Sequence, residues 1–282
     1  MAQPTGRKVA GMTEPRVRLD RRMVEEGLSD TRSRAQALIM AGQVLVNGRV
    51  ETKSGRLLGA GDSIDVAQAL PFVSRGGFKL AHALTEFAID PVGWRVIDVG
   101  ASTGGFTDCW LQRGASKVYA VDVGYGQLDW RLRQDHRVVV MERTNARYLL
   151  PSQFRGDVPV DGASIDAAFI GLKLLLDPLR TLVSAQGSVV ALVKPQFEAG
   201  PERLGKGGVV RDPGVHREVL HSVISAAKVL GYSIRGLTAS PIRGPQGNIE
   251  FFLHLGLDAA PSVNIDISAV VQAAWKAGRA DA

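Results

Sequence analysis

A single cysteine, Cys109, stands among 282 residues. An internal disulfide is thereby excluded, and one thiol cannot build a structural zinc site, so no metal is expected. Aromatic residues are scarce at 6%. No apolar run reaches the roughly 20 residues that span a bilayer. The stretch 165–176 is broken by Asp166 and Lys173, and the stretch 188–193 is too short. The first twenty residues carry basic charge with no apolar core behind it, unlike a secretory signal. These absences set a cytoplasmic protein without membrane contact as the expectation. What is present, 45% apolar and 22% charged residues, is the composition of a globular chain long enough for one large and one small domain. The formal charge of +6 is unevenly placed, with Arg7, Lys8, Arg16, Arg18, Arg21, Arg22, Arg32 and Arg34 crowding the N-terminal end. Most nearby acidic residues lie within helical reach of one of them, so a solvated helix face and a polyanion-binding face are both open.

Around those arginines Leu19, Met23 and Leu28 recur at helical spacing, with Gly27 as a stop. Asp30 or Thr31 can cap a second helix, whose inward side would carry Ala35, Leu38 and Ile39 and which would end at Gly42. The period then changes to two. Val44–Val46 reads as a strand, Asn47-Gly48 as a hairpin turn, Arg49 onward as the returning strand, and 63–66 as a last one. The expectation is an ααβββ unit over 14–66 and a linker over 67–71. Beyond it, strands are predicted at 94–99, 118–123, 138–141, 161–169, 188–193 and 249–255, with helices between, clearest at 216–230. That alternation predicts an α/β domain over 72–260 built on a mostly parallel sheet covered on both faces, with 261–282 left as a C-terminal tail.

The first of these strands runs into IDVGASTGGFTD. Gly100, Ser102, Gly104, Gly105 and Phe106 there form a loop that can turn sharply and bring backbone close to a ligand, in front of a helix N-terminus. About twenty residues on, Asp122 closes the next strand, where a carboxylate can accept from both ribose hydroxyls of a nucleoside cofactor. Asn145, after the third strand, is placed to meet an adenine edge or to form a turn. The spacing departs from the dinucleotide pattern G-x-G-x-x-G and resembles the first motif of S-adenosylmethionine-dependent methyltransferases. Carbon-5 methylation of a pyrimidine needs a cysteine nucleophile, and Cys109 lies in a helix where packing is its expected role. Amino-group methylation usually carries Asn/Asp-Pro-Pro-aromatic after the fourth strand, whereas this chain has Asp166-Ala167-Ala168-Phe169.

Four charged residues remain where charge is costly: Lys79, Asp166, Lys194 and Glu250. In order they resemble the Lys-Asp-Lys-Glu tetrad of ribose 2′-O-methyltransferases related to FtsJ/RrmJ. A ribose hydroxyl is too weakly acidic to ionise at neutral pH, so transfer to it needs a positioned base or a stabilising cation. The resemblance implies one of these roles for Lys194, oriented by Asp166 and Glu250, with Lys79 adding positive charge.

The N-terminal segment RLDRRMVEEGLSDTRSRAQALIMAGQVLVNGRV resembles the S4 RNA-binding module, which implies that Arg18, Arg32 and Arg34 face structured RNA. Taken whole, with SRGGFKL, DVGASTGGFTD, VDVGYGQL, RTNAR, KPQFEAG and GKGGVVRDPGVH in order, the chain resembles the TlyA family, described both as 16S/23S rRNA cytidine-2′-O-methyltransferases and as hemolysins. That resemblance implies a Rossmann-like class I methyltransferase fold, S-adenosylmethionine as cofactor, and ribosomal RNA or ribosomal subunits as partner; a monomer is the expectation, though no residue pattern specifies it. It also implies that Lys206 and Arg211 lie on a loop beside the catalytic pocket, which either closes over substrate RNA or is simply a mobile surface loop. Where the family usually has serines, this chain has Ala168 and Gly171. The alternative is an RNA-binding or ribosome-assembly protein that keeps the fold without the catalysis. Nothing in the sequence resembles a pore-forming segment.

Overall fold

The computed structural model describes residues 16–40, 43–66, 71–244, 246–258 and 260–280. The start of the first unit at 14–15, the helix stop at Gly42 and linker residues 67–70 lie outside the described residues. The chain divides into two compact units, Met1–Pro71 and Phe72–Ala282.

In the first unit β1 (Val17–Arg18) leads into α1 (Leu19–Glu25) and α2 (Arg32–Met40). These are followed by β2 (Val44–Val46), β3 (Arg49–Glu51), β4 (Leu57–Leu58) and β5 (Ile64–Val66). Thr31 Oγ1 accepts from Arg34 N at 3.2 Å, the cap expected of that residue. Leu19, Met23, Ala35 and Ile39 are fully buried and pack with Val44, Val46 and Leu58, joining the helical stripes to one face of the sheet. Strand β2 is central, antiparallel to both β3 and β5, and Asn47 and Gly48 both take positive φ, +53° and +74°, as a two-residue hairpin turn requires. With so few fully buried side chains, each worth about 2 kcal/mol, a single truncation such as Met23→Ala threatens this small unit. A short ladder between β1 and β4 escaped the sequence pattern, because two residues carry no period.

The second unit runs α3 (Gly76–Glu86), β6 (Arg95–Val99), α4 (Gly105–Gln112), β7 (Lys117–Val121), α5 (Trp130–Gln134), β8 (Val138–Met141) and β9 (Val160–Ile165). It continues through α6 (Lys173–Leu179), β10 (Val183–Val193), α7 (Pro195–Glu198), α8 (Pro213–Val229), β11 (Ser233–Ala239), β12 (Phe251–Gly256) and α9 (Ile267–Ala280). Its seven strands lie in the order β11-β12-β10-β9-β6-β7-β8. The pairs from β10 to β8 are parallel, whereas β12 is antiparallel to both β10 and β11. Alternate residues feed opposite cores: Ile97, Val99, Tyr119 and Val121 join one, and Val96, Val118 and Ala120 the other.

Three expectations change. The fourth strand stops at Ile165, and Phe169, expected inside it, takes φ +61° and is 90% exposed. An unforeseen strand, β11, forms the sheet edge, since SIRGLTA lacks clean alternation. The segment read as a tail holds α9, which buries Ile267 and Val271 in the core and whose Trp275 Nε1 donates to the buried His216 Nδ1 at 3.2 Å.

Candidate active site

The strand order reverses between β6 and β9, where a doubly wound sheet opens a crevice at its carboxyl edge. Four of the five parallel strands deliver one site residue immediately beyond their last: Gly100 after β6, Asp122 after β7, Asp166 after β9 and Lys194 after β10. The register pairs Val99 with both Val121 and Ile165, so these ends lie side by side. Because β12 runs antiparallel, with Phe251 opposite Val193, its start lies at the same edge, where Glu250 immediately precedes β12 and Lys194 immediately follows β10.

Two adjoining cavities share Gly100, Ser102 and Asp166. The larger, 610 Å³, is lined by Asp122, Gln127, Thr144, Asn145, Phe169 and Lys194 among others. The smaller, 220 Å³, is bounded by Lys79, Gly105, Phe106 and two arginines that the sequence reading missed, Arg75 and Arg243. Only their place in glycine-bearing loops hinted at them.

The glycine loop owes its shape to the missing side chain at Gly100. Its φ is +83°, and a Cβ there would lie 2.7 Å from the carbonyl oxygen of Asp166. Ser102 N donates to Asp122 Oδ2 at 2.8 Å and Gly124 N to Oδ1 at 2.7 Å, which fixes the strand-end carboxylate against the loop. Gly104, at φ +98°, is the N-cap of α4 and lies off both cavities. Asn145 lines the larger cavity while its side chain accepts from Arg147 N at 3.0 Å, so it is both turn former and wall. Beneath the loop, Asp98 is fully buried. Thr107 Oγ1 donates to it at 2.7 Å and Ser164 Oγ at 2.8 Å, and desolvation by burial lifts its carboxyl to about 7. The thiol of Cys109 is buried and pushed up to about 12, chiefly by desolvation, as suits a packing residue.

The four charged residues form two ion pairs. Lys79 Nζ donates to Glu250 Oε2 at 2.6 Å in a buried bond, and Glu250 Oε1 accepts from Gln196 Nε2 at 3.3 Å. Lys194 Nζ lies 2.7 Å from Asp166 Oδ1, poorly aligned for a hydrogen bond, and donates to the Asp166 carbonyl at 3.4 Å. Glu250, expected to orient Lys194, is thus bonded to Lys79, and among the described residues Lys194 forms its ion pair with Asp166. Helix α7 holds the loop after Asp166: Phe197 meets Phe169 ring to ring at 4.9 Å, and Glu198 Oε1 accepts from Leu172 N at 2.8 Å. Gly171 sits beside that carboxylate, its Cβ position 3.5 Å from Glu198 Oε2.

In the first unit, Arg18 donates twice to the buried Asp20 carboxylate, at 3.0 and 2.9 Å, and Arg32 donates to the same group at 3.0 Å. Its carboxyl is held well below the usual range, first by the Arg18 hydrogen bond. Arg34 pairs with Asp30 at 2.9 Å on the surface. Lys206 and Arg211 are exposed on a loop of the second unit.

A glycine loop under a strand-end carboxylate, at the switch point of this strand order, defines a Rossmann-like class I methyltransferase fold. Residues 72–257 match the FtsJ-like methyltransferase family and 17–64 match the S4 domain. The chain belongs to the FtsJ-like methyltransferases and carries an S4 domain ahead of the catalytic fold. It is 45% identical over 242 residues to the 16S/23S rRNA (cytidine-2′-O)-methyltransferase TlyA of Mycobacterium tuberculosis, covering 85% of this chain and 90% of that one. It is 40% identical to Hemolysin A of Brachyspira hyodysenteriae, covering 84% and 99%. Among solved structures, a protein from Streptococcus thermophilus described as a hemolysin superposes with a TM-score of 0.75 at 44% identity, covering 95% of this chain and 98% of that one. No helix among the described residues is long and apolar enough to cross a membrane.

Proposed function

We propose that the protein transfers a methyl group from S-adenosylmethionine to the 2′-hydroxyl of a cytidine in ribosomal RNA, with the S4 domain docking on that RNA. The observation that carries this reading is the pairing of Lys79 with Glu250 and of Lys194 with Asp166 around cavities that share Asp166. The larger cavity fits the cofactor: its 610 Å³ suits a nucleoside, Asp122 offers acceptor oxygens for ribose hydroxyls, and the bare backbone at Gly100 admits close approach. Bound there, the cofactor supplies an electrophilic methyl group. Lys194 is the group that meets the 2′-oxygen, oriented by Asp166, while Lys79 is locked as a fixed charge by Glu250. Arg75 and Arg243 add positive charge suited to the RNA backbone.

Tritiated cofactor and purified ribosomal subunits test the proposal. Label should appear on the ribose of a cytidine by nucleoside mass spectrometry. Label on a base, or an unchanged rate in Lys194→Ala, rejects it.

A second reading is an RNA-binding assembly factor that keeps only the fold. Ala168, which lines the larger cavity, and Gly171 motivate it. Binding of RNA without any calorimetric signal for S-adenosylmethionine selects this alternative.

A further inference from the structure

The exposed turn that carries Lys206 is bonded to the segment just ahead of β12 by the buried amide of Asn248. Within the turn Gly205 N donates to Val209 O at 2.9 Å and Gly208 N to Gly205 O at 3.0 Å. Gly207 and Gly208 take φ of +79° and +72°, which allows the tight reversal. Lys206 stands exposed near its tip. Asn248, fully buried, reaches the returning side of the turn: its Oδ1 accepts from Val210 N at 2.9 Å and its Nδ2 donates to Gly208 O at 3.0 Å. A primary amide supplies this donor and acceptor together, whereas a carboxylate offers only acceptors.

The same residue is linked to the Lys79–Glu250 pair through Gly244. Its backbone carbonyl accepts from Gly244 N at 2.9 Å, and Gly244 leaves the space that Glu250 occupies, a Cβ there falling 2.6 Å from Glu250 Oε1. Glu250 itself follows two residues later. Asn248 lines neither cavity, so contact with the cofactor is not its task.

We infer that Asn248 is a positioning residue for substrate RNA, holding the Lys206 turn in register with Glu250 so that the ammonium meets the RNA backbone while the ribose sits at the paired lysines. The inference rests on the methyltransferase reading above and deepens it. Its test uses the full chain with ribosomal subunits as substrate. Asn248→Asp keeps the size of the side chain but turns an acceptor toward Gly208 O. KM for subunits should rise roughly ten-fold, equivalent to about 1.4 kcal/mol, with the calorimetric Kd for S-adenosylmethionine unchanged. Lys206→Ala should raise KM in the same way, and the double variant should be little worse than either single one, because both lose the same contact. If Asn248→Asp fails to fold, Asn248→Ser carries the same expectation, its hydroxyl being too short to serve both groups. An unchanged KM in the folded Asn248 variant, full additivity with Lys206→Ala, or a parallel loss of cofactor affinity overturns the inference. Methyl transfer that persists while Lys206→Ala leaves KM unmoved overturns it too, without touching the methyltransferase reading. Loss of methyl transfer in the unmodified protein sinks that reading itself.

Discussion

Removing the amine from each ion pair should separate stability from chemistry. The Lys79 side chain is 11% exposed and its partner Glu250 1%, so Lys79→Met strands a carboxylate in the interior, hydrogen-bonded to the Gln196 amide but without its counter-charge. Breaking a buried pair by deleting one member costs about 3–5 kcal/mol. For a unit of this size, each kcal/mol lowers Tm by about 2–4 °C, so a fall of roughly 6–20 °C is expected. Lys194→Met differs because the stranded Asp166, 23% exposed and facing both cavities, can be hydrated. Its cost should be about 1 kcal/mol or less, and Tm should fall by no more than a few degrees. The methyl-transfer rate should nonetheless drop by roughly 10²–10⁴, the contribution of a positioned group at the reacting oxygen. Combining Lys79→Met with Glu250→Gln should recover most of the lost Tm, since no unpaired charge then remains inside. Differential scanning calorimetry and single-turnover transfer of tritiated methyl read the two effects apart. Equal melting losses in Lys79→Met and Lys194→Met, or a full rate in Lys194→Met, refute the reasoning.

Three further expectations concern the glycine loop, the buried acid beneath it and the S4 domain. Gly100→Ala combines a left-handed φ with a Cβ 2.7 Å from the Asp166 carbonyl, so it should weaken S-adenosylmethionine binding by roughly ten-fold or more in calorimetry; an unaltered Kd contradicts the close-approach argument. The Asp98 carboxyl, lifted to about 7 when folded against about 3.9 when unfolded, contributes stability that is complete below pH 3.9 and lost as pH rises through 7. The difference in Tm between Asp98→Asn and the unmodified protein should therefore grow in the variant's favour from pH 5 to pH 8, and a constant difference would show that Asp98 does not titrate there. If Arg34 touches phosphate, Arg34→Ala should reduce the slope of log affinity for ribosomal RNA against log salt by about one. An identical slope removes Arg34 from the interface.

Several features were legible along the chain because they depend on neighbours a few residues away. The stripes of Leu19 and Met23 and of Ala35 and Ile39, the Asn47-Gly48 turn, and a strand running into Gly100 and then Asp122 all follow from period and from backbone freedom at glycine. Charged residues just past apolar strands, Asp166 and Lys194, stood out because burial makes such positions costly without a purpose. The pattern overshot at 166–169, where an apolar run reads as strand although Phe169 lies in a left-handed turn.

What local pattern could not supply was pairing across distance. Lys79 and Glu250 are separated by 171 positions, and nothing near either one names the other. Their meeting depends on β12 running antiparallel to β10, which turns the start of the last strand toward the carboxyl edge of the sheet. The same holds for Asp20 and Arg32, twelve positions apart, for Asn248 and the Lys206 turn, and for α9, which reads as a tail until its Ile267 and Val271 find the core. Sequence by itself determined most of the elements and the chemistry at their ends, because helical and strand periods are short-range properties. Which ends face one another was decided by the tertiary structure, because strand order and direction are settled by packing the whole sheet.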